Sequence, residues 1–243
     1  CLNHPHVVQI FAAGESEELL YLALEFCPFG TVNDLLRKHG GRLSLDTALY
    51  IIEQTLEALD YAHNVELPPQ PLPDGTTKPA KGIVHRDLKP GNILCVAEGD
   101  KPIVKIADFG LAKAFDLAGM SGYTSDNSNT ENPSVAGTYA FMPRQQVLDF
   151  KYAKPEVDVW AAAACLYQML TGRLPRNFTR SDGKSSAPWQ IVLETPTLPI
   201  RHYNAEIPCQ LAETIDLALK DERGLHFKTV TEFQQELYRA KNK

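Results

Sequence analysis

Apolar and polar positions along the chain fall into blocks that predict alternating strands and helices. Val7 to Gly14 and Leu19 to Phe26 are apolar-rich runs separated by a charged turn, Glu15 to Glu18, and read as a hairpin. Thr31 is a good N-cap for a helix from Val32 to Lys38, with Asp34 at its third position and Gly40-Gly41 ending it. Ser44 caps a longer helix whose Leu45, Ala48, Leu49, Ile52, Leu56, Leu59 and Ala62 recur at helical spacing. That helix reads as core scaffold, with His63 structural at its end. Between Glu66 and Ala80 the density of Pro68, Pro69, Pro71, Pro73 and Pro79 predicts an exposed loop without regular structure. Ile83-Val84 and Ile93-Leu94-Cys95 read as short buried strands around a polar loop, and Ile103 to Ala107 as another strand. Asp158 opens a run to Leu170 that is apolar nearly all round, so a buried helix is expected there, with Asp158 as its cap. Trp189 to Glu194, Cys209 to Lys220 and Lys228 to Ala240 read as the later helices. Residues 241–243 read as a frayed tail.

Composition narrows the class. An apolar content of 44% and a charged content of 22% are those of a globular protein. The balance of 24 Lys+Arg against 30 Asp+Glu gives no support for nucleic acid as a partner. Cys1, Cys27, Cys95, Cys165 and Cys209 form no C-x-x-C pair and read as reduced thiols of a cytoplasmic protein. No apolar run is long enough to span a bilayer. The chain opens on Cys1 instead of Met, which suggests a piece of a longer protein.

The stretch from Ile83 to Cys95 carries the chemistry. It sets Asp87, Lys89 and Asn92 at fixed offsets in a loop punctuated by Pro90-Gly91. On chemistry alone, a carboxylate, an ammonium and a carboxamide so placed could serve phosphoryl transfer, as one reading among several. The string His85-Arg86-Asp87-Leu88-Lys89-Pro90-Gly91-Asn92 resembles the catalytic loop of protein kinases at every fixed position. Asp108-Phe109-Gly110 behind a strand, Gly137-Thr138, and Asp158 follow in the family's order.

The resemblance, to the eukaryotic-type serine/threonine protein kinase domain, covers the whole chain and implies an α+β fold. Residues 1–27 would be a remnant of the N-lobe, two antiparallel strands and the hinge. Residues 28–240 would be the helical C-lobe, with an activation segment over 108–145. The short activation segment and plain ending look bacterial-type. By the same resemblance, Asp87 would be the catalytic base, Lys89 would stabilise the transferring group, and Thr138 would lie against both. Asn92 and Asp108 would hold Mg²⁺. Leu24 as gatekeeper, Glu25 to Cys27 as hinge, and Leu94 would contact the nucleotide. Phe109 would be an apolar switch, Asp158 would hold the catalytic-loop backbone, and Arg86 would receive a phosphate on Thr124 or a nearby hydroxyl. ATP and protein Ser/Thr hydroxyls would be the substrates.

Two departures stand out. Pro143-Arg144-Gln145 occupies the place of Ala-Pro-Glu, so a carboxylate has become an amide. The arginine that pairs with that glutamate in the family has its counterpart in His226, or in Arg223 if the register slips. If His226 is the counterpart, a Gln145–His226 hydrogen bond could keep the geometry in place of the ion pair. Nor does the chain contain a G-x-G-x-x-G loop or a V-A-I-K lysine. The expectation is a fragment of an active kinase; the alternative is a non-catalytic scaffold.

Overall fold

The computed structural model describes residues 2–16, 19–71, 76–109, 137–150, 153–178 and 187–242. Helices dominate, and the described strands form three separate antiparallel pairs. Strands β1 (Ile10–Ser16) and β2 (Leu19–Leu24) make the expected hairpin, which begins three residues later than its apolar run. Val7 is instead committed elsewhere. The Val8 N–H donates to the Ile106 carbonyl at 2.9 Å, and the Ile106 N–H to the His6 carbonyl at 2.9 Å. The segment before β1 is thereby fixed to the strand that leads to Asp108.

Helix α1 (Val32–Lys38) starts on a reciprocal cap: the Asp34 N–H donates to Thr31 Oγ1 while Thr31 N–H and Oγ1 donate to the Asp34 carboxylate. Helix α2 (Leu45–Asn64) is capped by Ser44 and buries ten side chains along one stripe. Its C-terminal carbonyls are orphans by geometry. They are taken up by the chain on its way to the catalytic loop, through Gly82 N–H to the Val65 carbonyl at 2.9 Å and Ile83 N–H to the Ala62 carbonyl at 2.8 Å. Ile83-Val84 consequently does not form the strand expected of it.

The proline-rich stretch corrects a second expectation. It folds as a hairpin of β3 (Glu66–Pro71) and β4 (Thr77–Lys81). The register pairs Glu66 with Lys81 and Leu67 with Ala80, then slips before Gln70 pairs with Lys78. Pro68 and Pro69 sit at that slip, where a missing N–H costs the ladder nothing. The hairpin ends at Gly82, whose φ of 77° lies in the left-handed region; an added Cβ would come within 2.4 Å of the His63 carbonyl oxygen. Gly82→Ala should therefore cost about 2–4 kcal/mol in denaturant unfolding, from strain plus displacement of α2's last turn. A loss below about 0.5 kcal/mol would mean that the loop entrance yields freely.

A single 3₁₀ turn, Pro90–Asn92, leads into β5 (Ile93–Ala97), which pairs with β6 (Ile103–Ile106). The buried Gln54 of α2 fastens this pair: Nε2 donates to the Pro102 carbonyl and Oε1 accepts from the Val104 N–H, both at 3.0 Å. Next come α3 (Arg144–Leu148) and α4 (Glu156–Thr171), the latter buried from Val157 to Tyr167. Its run Ala161 to Ala164 is at most 3% exposed, and the small side chains let α2 pack closely against it. Helices α5 (Pro188–Glu194), α6 (Cys209–Ala218) and α7 (Val230–Lys241) complete the body. Lys241, read as tail, closes α7 and donates to Glu53 at 3.1 Å, and Asn242 bonds the Tyr238 carbonyl. Among the described residues no helix is long and apolar enough to cross a membrane.

Candidate active site

The loop from His85 to Asn92 hangs between two supports, Asp158 and Gln146. Asp158, fully buried in the first turn of α4, accepts from His85 N–H at 2.7 Å, Arg86 N–H at 2.8 Å and His63 Nε2 at 2.7 Å. Of the two roles expected of Asp158, no side-chain cap on its own helix is found, and the carboxylate is turned to the loop backbone. These bonds help hold Arg86 at φ 70°, a left-handed conformation that costs a residue with a Cβ about 1–3 kcal/mol. Gln146, 1% exposed, donates Nε2 to the Arg86 carbonyl from the other side.

With the backbone so held, three side chains converge. Lys89 Nζ lies 2.9 and 3.2 Å from the two Asp87 carboxylate oxygens and 3.0 Å from Thr138 Oγ1. Asn92 Nδ2 donates to the Asp87 carbonyl at 2.8 Å and to Asp87 Oδ2 at 3.1 Å. The amide is thereby oriented, and Oδ1 is the atom left for a cation. The Lys89–Asp87 pair remains partly open to solvent.

Asp108 lies at the end of β6, exposed and left-handed at φ 65°. The Ala107 N–H donates to the Asn92 carbonyl at 2.9 Å, so the two strands deliver Asn92 and Asp108 side by side. His85 ties these parts together. Its Nδ1 accepts from Asp87 N–H at 3.2 Å, so Nε2 carries the proton and donates to the Ala107 carbonyl at 2.8 Å. Its ring packs 4.8 Å from that of Phe109. Asn92 and Asp108 offer a neutral and an anionic oxygen, a donor set suited to a hard cation that takes its other ligands from phosphates and water.

The residues expected around the nucleotide divide into two groups. Leu24 lines a cavity of about 170 Å³ with Val7, Ile83, Ile106, Asp108 and Phe109. Glu25, Cys27 and Leu94 are not among its walls. Glu25 pairs its N–H with the Gln9 carbonyl at 2.8 Å, and Lys105 hydrogen-bonds its carboxylate and holds it below the usual range. Leu94 sits on β5 opposite Thr31, next to the chain leaving Cys27. Burial raises the Cys27 thiol above its ordinary value. Thr124 lies outside the described residues.

The Gln145–His226 bond is not formed. His226 is exposed and packs its ring on Phe227, while Gln145 Nε2 donates to the Asp221 backbone carbonyl at 2.7 Å. Arg223 is exposed as well. The buried charges here are Arg176 and Asp221, which the sequence reading missed; nothing local marks two residues that meet across 45 positions. Gln146 was missed for the same reason. The role of His85 beyond its motif is legible only from its two ring bonds.

Comparisons with known proteins agree with this geometry. The pattern described as "Protein kinase domain" matches residues 1–197. The chain is 32% identical to serine/threonine-protein kinase PknA of Mycobacterium tuberculosis over 94% of its own length and 46% of that protein. It is 32% identical to 3-phosphoinositide-dependent protein kinase 1 of Arabidopsis thaliana over 72% of its length and 31% of that protein. In fold it is similar to Rad53 in complex with AMP-PNP, with a TM-score of 0.63 and 24% identity over 97% of this chain and 52% of that one. The chain spans less than half the length of these curated relatives. A family pattern over most of the chain, and a third of residues shared with PknA, lead to one conclusion: the chain belongs to the protein kinase family.

Proposed function

We propose that the protein carrying this chain transfers the γ-phosphoryl group of ATP to Ser and Thr hydroxyls of proteins. The observation that carries this reading is the convergence of Asp87, Lys89 and Thr138, with Asn92 holding Asp87 from behind. Asp87 orients the acceptor hydroxyl and takes its proton. Lys89, already bridging Asp87 and Thr138, presents its ammonium to the transferring group. Mg²⁺, held by Asn92 Oδ1 and the Asp108 carboxylate, would neutralise charge on the phosphates. Leu24, the chain from Glu25 to Cys27, and Leu94 would enclose the adenine. Arg86 would receive a phosphate on the segment that includes Thr124.

Positioning supplies most of the catalysis in this chemistry, and residues 1–243 hold no Gly-rich loop or paired strand lysine. The isolated 243-residue chain should therefore transfer phosphate from labelled ATP to a generic Ser/Thr substrate at least about a hundredfold more slowly than the full-length protein. That same lack favours a second reading, a non-catalytic binding module. Transfer by the full-length protein supports the kinase reading; nucleotide binding without transfer by the full-length protein supports the module.

A further inference from the structure

The stretch that follows Thr138 is fastened to the helical body by a buried charge pair. Arg176 and Asp221 are 1% and 2% exposed and hydrogen-bond to each other through Nη2 and Oδ2. The guanidinium spreads over three separate parts of the chain. Besides Asp221 it donates from Nε to the Thr195 carbonyl at 3.0 Å and from Nη1 to the Met142 carbonyl at 3.3 Å, with the Trp160 ring 5.0 Å away. Asp221 also accepts from the Arg144 N–H at 2.9 Å, and its backbone carbonyl takes the Gln145 amide. Arg144 donates its own side chain to the Val192 and Thr195 carbonyls, both at 3.1 Å. Met142, Arg144 and Gln145 are thus all held by one pair, four to seven residues after Thr138. Gln146, the next residue, holds the Arg86 carbonyl beside Asp87.

We infer that Arg176 and Asp221 are positioning residues for the reaction: their pair sets residues 138–146 against the catalytic loop, and Gln146 passes that setting to Asp87. The pair does the work that the resemblance assigned to a Glu–Arg pair, at positions where this chain has Gln145 and His226. A charge at this depth is expensive alone, so Arg176 needs Asp221, whose carboxylate Arg144 Nε also approaches at 3.6 Å. A lysine at 176 would keep the charge, but its single nitrogen cannot serve acceptors arranged around a planar fork. An asparagine at 221 keeps an acceptor for the Arg144 N–H and loses the charge.

The functional consequence rests on the phosphotransfer reading; the mechanical part does not. Hydrogen–deuterium exchange of the full-length protein tests the latter. Arg176→Lys, or Asp221→Asn should the former fail to fold, is expected to speed amide exchange over 138–148 and 85–92 about tenfold, with β5, β6 and α7 unchanged. Gln146→Leu is expected to speed exchange over 85–92 alone. Uniform acceleration everywhere, or unchanged exchange over 85–92, overturns the proposal. With transfer established in the wild type, the Arg176 and Asp221 variants should raise KM for an acceptor peptide about tenfold and that for ATP by less than about twofold. Unchanged peptide kinetics in well-folded variants would leave the pair a purely structural one and overturn its role in positioning. A wild-type protein without transfer removes the phosphotransfer reading, and the exchange result still decides the mechanical coupling.

Discussion

Asp158→Ala is expected to bring the chain to the edge of unfolding at room temperature. The carboxylate is fully buried and accepts three hydrogen bonds, from His63 Nε2 and from the His85 and Arg86 amides. Removing it leaves those donors without partners where water does not reach. Each such donor costs about 1–3 kcal/mol, so the total is on the order of 4–6 kcal/mol. A domain of ordinary stability has about 5–15 kcal/mol to lose. Asp158→Asn should be milder, at about 2–3 kcal/mol, since it keeps one acceptor but turns an N–H toward donors. Urea unfolding followed by far-UV circular dichroism reads both. An alanine variant within about 1 kcal/mol of wild type would show that the catalytic loop holds its shape without this carboxylate.

Asp87→Asn is expected to have the largest effect on turnover and little on stability. Asp87 is partly exposed, and its carboxylate accepts from the Lys89 ammonium and the Asn92 amide. An asparagine has nearly the same shape and keeps one oxygen for those donors, so unfolding should shift by less than about 1 kcal/mol. It cannot accept a proton from a hydroxyl. A positioned general base contributes about 10²–10⁴-fold, and the full-length protein should lose that much in kcat with the KM for ATP little changed. Labelled-phosphate transfer to a Ser/Thr peptide measures it. A variant retaining more than about a tenth of wild-type turnover would remove Asp87 from its assigned role.

Local signals made much of this molecule legible in sequence. Thr31 and Asp34 specify the start of α1 through bonds three residues apart, and Ser44 does the same for α2. The apolar run of α4 could only be buried. The loop motif brought Asp87, Lys89 and Asn92 together because their spacing along the chain already limits their separation. What escaped notice depends on partners far apart. The prolines of β3 suggested disorder of pattern, yet their effect depends on which ladder positions they occupy, and that is settled by Lys78 to Lys81 across the hairpin. Ile83 looked like a strand by its side chain, but its N–H belongs to the end of α2. Gln145 looked like a damaged ion pair. Only the fold shows that its amide meets a backbone carbonyl and that Arg176 and Asp221 supply the charges.

The β1–β2 hairpin has a colloidal consequence. Phe11 of β1 and Phe26, two residues past β2, are 63% and 84% exposed, and Ile10, Tyr21, Leu22 and Leu24 are also open to solvent. Neighbouring residues in a strand point to opposite faces, so both faces of this two-stranded sheet carry apolar side chains. Apolar faces beside unpaired strand edges invite strand-to-strand association. For the 243-residue chain, these apolar faces favour self-association against the repulsion of a formal net charge of −6.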